Sequence, residues 1–225
     1  MAEALGVARW SCPASAKPSG CPVRFVVSGA AMTLSVFLSA SVPLPPPHRH
    51  EKYFGTADQI AIRDSIRALV SAVVPRGLLV FGGHPAITPL IRLLVLDSGA
   101  SVSKHIFLFQ SRLFENQFPP EVRSFENLNL VDAVGQDREA SLAAMREKMI
   151  GSQDFTAGVF IGGMEGVEEE YSMFRRMHPT KPAYPIASTG AAALILFERY
   201  MPERRELLED LTYLSLFRRL LQIPA

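Results

Sequence analysis

Residues 157–170, AGVFIGGMEGVEEE, are the segment of this chain most informative about its fold. Its first five residues, Ala157 to Ile161, form an unbroken apolar run, which is typical of a strand buried on both faces of a parallel sheet. Two glycines come next, and residues from Val167 to Met177 have the pattern of an amphipathic helix with an acidic start. A buried strand, a glycine turn and a helix in this order indicate an α/β protein.

The same alternation of apolar runs and amphipathic stretches extends through the chain from Met32. Strands are expected over residues 34–38, 78–81, 106–109, 128–134, 157–161 and 183–187. Helices are expected over residues 57–74, 87–96, 138–150, 167–177, 190–200 and, in one or two pieces, 203–221. The sequence therefore predicts a Rossmann-like three-layer α/β/α domain with a mostly parallel sheet of about six or seven strands.

Composition excludes several classes of protein. The 225 residues contain 23 Lys and Arg against 22 Asp and Glu, a net charge of +1, with 48% hydrophobic residues. A disordered chain would be poorer in apolar residues and would carry more net charge. A protein dedicated to long nucleic acids would carry a basic excess, so no such partner is expected.

Residues 1–31 differ from the rest of the chain, because no helical or strand period holds in them. Both cysteines, Cys12 and Cys21, and the only tryptophan, Trp10, lie there. We expect a disordered or mis-assigned extension over 1–31, ahead of a single domain over 32–225. The stretch 25–44 contains no charged residue, so a signal peptide or a membrane span is an alternative interpretation of it. Because the first strand needs residues 34–38, a cytoplasmic protein without membrane contact is favoured.

Small residues or glycines come directly after four of the predicted strands. Because parallel strands share one carboxyl edge, these residues are expected to meet there, where α/β sheets bind ligands. Glycine permits close approach of the backbone, and helix starts favour phosphate. The sequence therefore predicts a nucleotide pocket at this edge. Its predicted members are Ser39, Ala40, Ser41, Gly82, Gly83, His84, Gly162, Gly163, Ser188, Thr189 and Gly190.

Motifs of the common nucleotide enzymes are missing from the sequence. It has no G-x-x-x-x-G-K-S/T, G-x-G-x-x-G or G-x-S-x-G, which argues against a P-loop NTPase, an ordinary dehydrogenase and an α/β-hydrolase. His48 and His50 have no clearly placed partner ligand, so neither a metal nor a cofactor is expected.

Two charged segments each leave two interpretations open. The acidic residues Glu165 and 168–170 stabilise a helix start, or they hold ribose hydroxyls and act as a general base. The leucines and arginines of 203–221 form an amphipathic pattern, which indicates packing on the core or, alternatively, a dimerisation face.

Four blocks of this sequence together resemble one known family. They are VFLSASVP at 36–43, VFGGHPAITP at 80–89, VFIGGMEGV at 159–167 and IASTG at 186–190. In this order they are similar to the SLOG superfamily, which unites the DNA-uptake protein DprA with the lonely-guy phosphoribohydrolases. The best match is to its third cluster, stand-alone domains of bacterial conflict and signalling systems. The resemblance covers about residues 33–200.

The resemblance implies a Rossmann-like domain that binds a nucleotide or NAD-derived ligand. In SLOG domains attached to defence effectors, the ligand is similar to cyclic ADP-ribose. A small-molecule sensor, with an effector protein or a second copy as its partner, is therefore implied here. The resemblance also adds Glu165 and Gly166 to the predicted ligand-binding residues.

Lonely-guy enzymes carry the motif P-G-G-x-G-T-x-x-E, from which this chain departs. Ile161 replaces the proline, one residue is inserted before Gly166, and Val167 replaces the threonine. With that insertion, Glu170 aligns with the catalytic glutamate. Three hypotheses remain open: a sensor without chemistry, a nucleotide N-glycosidic hydrolase that uses Glu169 or Glu170, and a non-catalytic dimeric scaffold.

Overall fold

The computed structural model describes residues 34–47, 51–118 and 120–224. Within these ranges the strands are β1 Leu34–Ser41, β2 Gly77–Gly82, β3 Ile106–Ser111, β4 Leu128–Val131, β5 Ala157–Gly162 and β6 Ala183–Ile186. The helices are α1 Glu51–Phe54, α2 Gln59–Val73, α3 Thr88–Asp97, α4 Val102–His105, α5 Arg138–Ile150, α6 Glu165–Met177, α7 Ala191–Tyr200, α8 Glu206–Glu209 and α9 Tyr213–Leu220. Short 3₁₀ turns occupy Arg112–Gln117, Pro120–Ser124 and Ala187–Thr189.

The six strands form one sheet in the order β4-β3-β2-β1-β5-β6. Every neighbouring pair is parallel, and β1 lies between β2 and β5. The predicted Rossmann-like α/β fold is confirmed, with a sheet that is entirely parallel in the described residues.

Apolar side chains cover both faces of the sheet, because successive residues of a strand point to opposite sides. In β2, Leu79 and Phe81 pack with the apolar residues of α2, α3 and α9. Leu78 and Val80 pack instead with those of α5, α6 and α7. Two helical layers therefore enclose the sheet.

Polar caps fix where two of the longer helices begin. Asp58 accepts hydrogen bonds of 2.9 Å from the amides of Ile60 and Ala61 at the start of α2. Asp137 accepts one of 3.0 Å from Ala140 at the start of α5. Each bond satisfies an amide that the helix itself leaves without a partner.

The C-terminal helices pack on the core of their own chain. Leu207 of α8 and Leu216 of α9 are fully buried, and both belong to the apolar cluster that contains α2. Leu211 and Leu214 remain exposed. Most of the leucine face that suggested a dimerisation surface is therefore occupied within the chain.

Several boundaries differ from those expected. Strand β1 continues through Ser41 rather than ending at 38, because β5 pairs with it as far as Gly162. Strand β4 stops at Val131 rather than 134, because its partner Ser111 is the last residue of β3. Helix α6 begins two residues before the expected position, and the Pro-rich loop contains the short helix α1.

Other expectations fall outside the described residues. These include the extension over 1–31, with Trp10, Cys12 and Cys21, and also His48 and His50. Of the stretch 25–44, residues 34–41 form β1. No helix among the described residues has the length and apolar character that crossing a membrane requires.

Candidate functional site

The strand order creates a crevice at the carboxyl ends of β1 and β5. From β1 the chain proceeds outward through β2, β3 and β4, and then returns to the other side of β1 for β5 and β6. Helix α2 covers one face of the sheet and α6 the other. In open α/β sheets such a reversal is where ligands bind. A cavity of about 1160 Å³ lies at this point.

The cavity brings together ten of the residues predicted from the sequence. They come from the end of β1, the loop after β2 and the first turns of α6. They are Ser39, Ala40, Ser41, Gly82, Gly83, His84, Glu165, Gly166, Glu169 and Glu170. Other residues that line the cavity come from the end of β3, one face of α5 and the two 3₁₀ turns after β3.

Residues 188–190 do not line this cavity, and their contacts are internal. The hydroxyl of Thr189 accepts a 2.8 Å hydrogen bond from the amide of Gly162 and donates one of 2.6 Å to the Ile186 carbonyl. Ser188 Oγ lies 3.0 Å from Tyr213 Oη, which joins the end of β6 to α9. Gly190 has a φ of 70°. These contacts connect β5, β6 and the C-terminal helices.

Gly162 and Gly163 also lie outside the cavity lining, beneath the start of α6. Their φ values of 55° and 91° turn the chain from β5 into the helix. The amide of Gly163 donates a 2.9 Å hydrogen bond to the Ser41 carbonyl. A Cβ on Gly162 would lie 2.5 Å from the Ile62 side chain. The glycine pair therefore lets β1, α2 and α6 pack closely around the crevice.

The loop after β2 uses its backbone amides internally. Gly83 donates to the Phe109 carbonyl over 3.3 Å, and His84 donates to Thr88 Oγ1 over 3.0 Å. The amide of Ala86 donates to His84 Nδ1 over 3.2 Å. This loop therefore shapes the cavity with its side chains and does not present a row of unused amides to a phosphate.

The start of α6 differs, because no side chain in the described part of the chain caps it. Its first residues, from Met164 to Gly166, line the cavity. A helix start without a side-chain cap offers backbone N–H groups and the positive end of the helix dipole to an anion.

Ser39 adds a second polar group to the same cavity. It is only 2% exposed, and its Oγ has no hydrogen-bond partner of good geometry among the described residues. The hydroxyl lies beside the Glu170 carboxyl and lowers its pKa as a hydrogen-bond donor, but the geometry of this contact is poor. A buried hydroxyl whose only nearby partner is poorly aligned costs free energy, so a ligand that bonded to it would recover part of that cost.

Arg146 of α5 is a cavity residue that was not predicted from the sequence. Its Nε donates to Glu170 Oε1 over 3.3 Å, and its Nη1 binds Glu169. The arginine side chain is only 13% exposed. On the sequence it looks like an ordinary charge on an amphipathic helix, and only the fold brings it beside the two glutamates.

The three consecutive glutamates of α6 have different environments. Burial raises the pKa of Glu170, and the nearby Arg146 and Ser39 oppose this effect without cancelling it. Glu169 is 60% exposed. Glu168 accepts a 2.5 Å hydrogen bond from Tyr53 of α1 and does not line the cavity. A buried carboxyl with a raised pKa is suited to donating or accepting a proton.

The described residues contain no group of three or more His, Cys, Asp or Glu side chains that could hold a metal ion. The cavity presents carboxyl groups, Arg146, Ser39 and the start of α6.

Comparison with known proteins identifies the family of the chain. The family model described as the SLOG cluster3 family matches residues 52–221, which is more than half of the chain. The match begins after β1, so Ser39 and Ser41 precede it, and it extends beyond residue 200 into the C-terminal helices. No curated protein and no solved structure gives a significant match. The chain thus belongs to the SLOG cluster3 family.

Proposed function

We propose that the chain binds a nucleotide-type small molecule, such as an ADP-ribose derivative, and acts as a cytoplasmic sensor in bacterial signalling or defence. Membership of the SLOG cluster3 family supports a nucleotide-related role. The observation that carries the proposal is the cavity at the β1–β5 crevice, with the uncapped start of α6 and the buried hydroxyl of Ser39 on its walls.

The phosphate of such a ligand is expected at the start of α6. Arg146 is already bound to Glu169 and Glu170, so its charge is largely compensated. The favourable field for a phosphate there therefore comes from the positive end of the α6 dipole, and Arg138 is a further cation on the cavity wall. The carboxylates beside this point can accept hydrogen bonds from ribose hydroxyls.

Calorimetric titration tests the proposal. Purified protein is titrated with AMP, ADP-ribose, cyclic ADP-ribose isomers and NAD, and at least one of them is expected to bind. Ser39→Ala should weaken that binding about 3- to 10-fold, the usual worth of one hydrogen bond. Ser65→Ala is the matched control, since Ser65 is also buried but bonds to the Ile62 carbonyl within α2. A folded protein that binds none of these compounds would contradict the proposal.

A second candidate is an N-glycosidic hydrolase of nucleotides. The observation that favours it is Glu170, a largely buried carboxyl with a raised pKa beside Arg146 in the cavity. As a general acid it would protonate the leaving base, and as a base it would activate water. Chromatography would detect free base released from AMP or NAD, and Glu170→Gln should abolish the release. Release that is unchanged in this variant would remove Glu170 from the mechanism.

A further inference from the structure

The cavity has a charged end and an aromatic end. Glu165, Glu169 and Glu170 lie at the end that α6 builds after β5. Phe114 and Phe118 line the other end, in and just after the 3₁₀ turn next to β3. Strands β2 and β1 separate β3 from β5, so the two ends lie about 14 Å apart at the usual strand spacing.

Phe114 is available for contact with a ligand. It is half-buried, it lines the cavity, and it belongs to neither of the two buried apolar clusters of the described residues. Phe118 by contrast packs against the core, which anchors the same wall. A partly exposed aromatic face on an anchored wall is the type of surface on which a planar base stacks.

Gln110 places an amide at the same end of the cavity. It lies at the carboxyl end of β3, and its side chain extends across Gly83. A Cβ on Gly83 would lie 1.6 Å from Gln110 Nε2, so only a glycine leaves the amide this position. A carboxamide both donates and accepts hydrogen bonds, as the edge of a nucleobase does.

We propose that the aromatic end is a nucleobase subsite, in which the base stacks on Phe114 and Gln110 bonds to its edge. This rests on the proposed function, because the ribose and phosphate would extend toward α6. It assigns Gly83 an indirect role: the glycine positions Gln110 and does not itself contact a phosphate.

The test compares probes with and without a base. AMP and ADP-ribose carry adenine, whereas ribose 5-phosphate has the sugar and phosphate alone. Phe114→Leu keeps an apolar side chain but removes the ring. It is expected to weaken binding of AMP and ADP-ribose about tenfold and to leave ribose 5-phosphate unchanged. Phe54→Leu is the matched control, since Phe54 is half-buried on α1 and does not line the cavity.

Gln110 is tested through two variants and their combination. Gly83→Ala should displace the amide, and Gln110→Ala should remove it, so both are expected to weaken AMP selectively and to similar extents. The double variant should be no weaker than either single variant, because both changes remove the same contact. Circular dichroism and thermal unfolding would confirm that each variant is folded.

The outcomes separate this proposal from the one on which it rests. Equal weakening of AMP and ribose 5-phosphate by Phe114→Leu, or no effect on either, would overturn the base subsite while leaving nucleotide binding intact. Wild-type protein that binds ribose 5-phosphate as tightly as AMP would overturn it as well. If the wild type binds none of the three probes, the base subsite is overturned, and if it binds neither NAD nor a cyclic ADP-ribose isomer either, the proposed function fails with it.

Discussion

Arg146 donates a 3.3 Å hydrogen bond from Nε to Glu170 Oε1 while its Nη1 binds the adjacent Glu169. The two carboxylates share one cation but differ in burial, with side chains 14% and 60% exposed respectively. Desolvation disfavours the charged form of a buried acid, so burial separates two residues that look equivalent in the sequence.

Glu170→Gln is expected to raise stability at neutral pH. Burial raises the pKa of Glu170 above its ordinary value of 4.5, so the native state binds its proton more tightly than the unfolded state does. The wild type therefore loses stability as the pH rises from 4.5 through the raised pKa. The uncharged glutamine avoids this loss. Thermal unfolding between about pH 4 and pH 8 should show an advantage of the variant that shrinks toward the acidic end.

Glu169→Gln serves as the control for this pH dependence, because it removes the other, exposed partner of Arg146. Its unfolding temperature is expected to change by little at any pH, as is usual for exposed ion pairs. Equal pH profiles for the two variants would show that burial does not distinguish Glu170 from Glu169.

Tyr53→Phe is expected to destabilise the chain by about 1–2 kcal/mol. Tyr53 is 1% exposed and donates a 2.5 Å hydrogen bond to Glu168. Burial and the Glu168 carboxylate both raise the pKa of Tyr53, so the hydroxyl stays protonated and remains a donor at physiological pH. Removing it leaves the carboxylate without this donor and weakens the link between α1 and α6.

Denaturant unfolding measures that loss, and Tyr200→Phe provides the comparison. Tyr200 is 50% exposed, and its ring contact with Tyr171 does not need the hydroxyl. An equal, small effect of both substitutions would mean that water replaces the Tyr53 bond at no cost.

Gly190→Ala is expected to cost about 3 kcal/mol or more, because two effects combine. Gly190 has a φ of 70°, which residues with a side chain rarely adopt. An added Cβ would lie 1.8 Å from the Thr56 carbonyl oxygen. Gly99→Ala isolates the first effect, since Gly99 has a φ of 72° with nothing within 4 Å of such a Cβ. Unfolding free energies should therefore differ clearly between the two variants. Similar values would show that the loop at Thr56 moves aside.

The pattern of apolar residues along the sequence made the fold predictable. Every predicted strand has a counterpart among the observed ones, because strands buried on both faces need continuous apolar runs such as 157–161. Boundaries were less predictable where pairing decides them. Ser39, Ala40 and Ser41 look like a loop in the sequence, yet they pair with residues of β5.

The candidate site was predictable only in part, since its residues meet through the fold. The rule that ligands bind at the carboxyl edge identified the ends of β1 and β2 and the start of α6. The same rule also selected Ser188, Thr189 and Gly190, which follow the edge strand β6 and lie outside the cavity lining, where Thr189 bonds to the Gly162 amide. A single sequence does not show which small residues bond to the chain and which face a cavity. Arg146 and Phe114 gave no sequence signal, since a helix surface and a loop commonly carry such residues.

Leu216→Ala and Leu214→Ala separate core packing from dimerisation by the C-terminal helices. Leu216 is fully buried in the cluster that contains α2, so its truncation is expected to cost about 2–5 kcal/mol. Leu214, two residues earlier on α9, is 39% exposed, and its truncation should change stability by less than about 0.5 kcal/mol. Sedimentation velocity should give the same molecular mass for wild type and Leu214→Ala. If the wild type is a dimer that dissociates in Leu214→Ala with unchanged stability, the exposed part of α9 is an interface. That result would support the scaffold hypothesis, which the burial of Leu207 and Leu216 argues against.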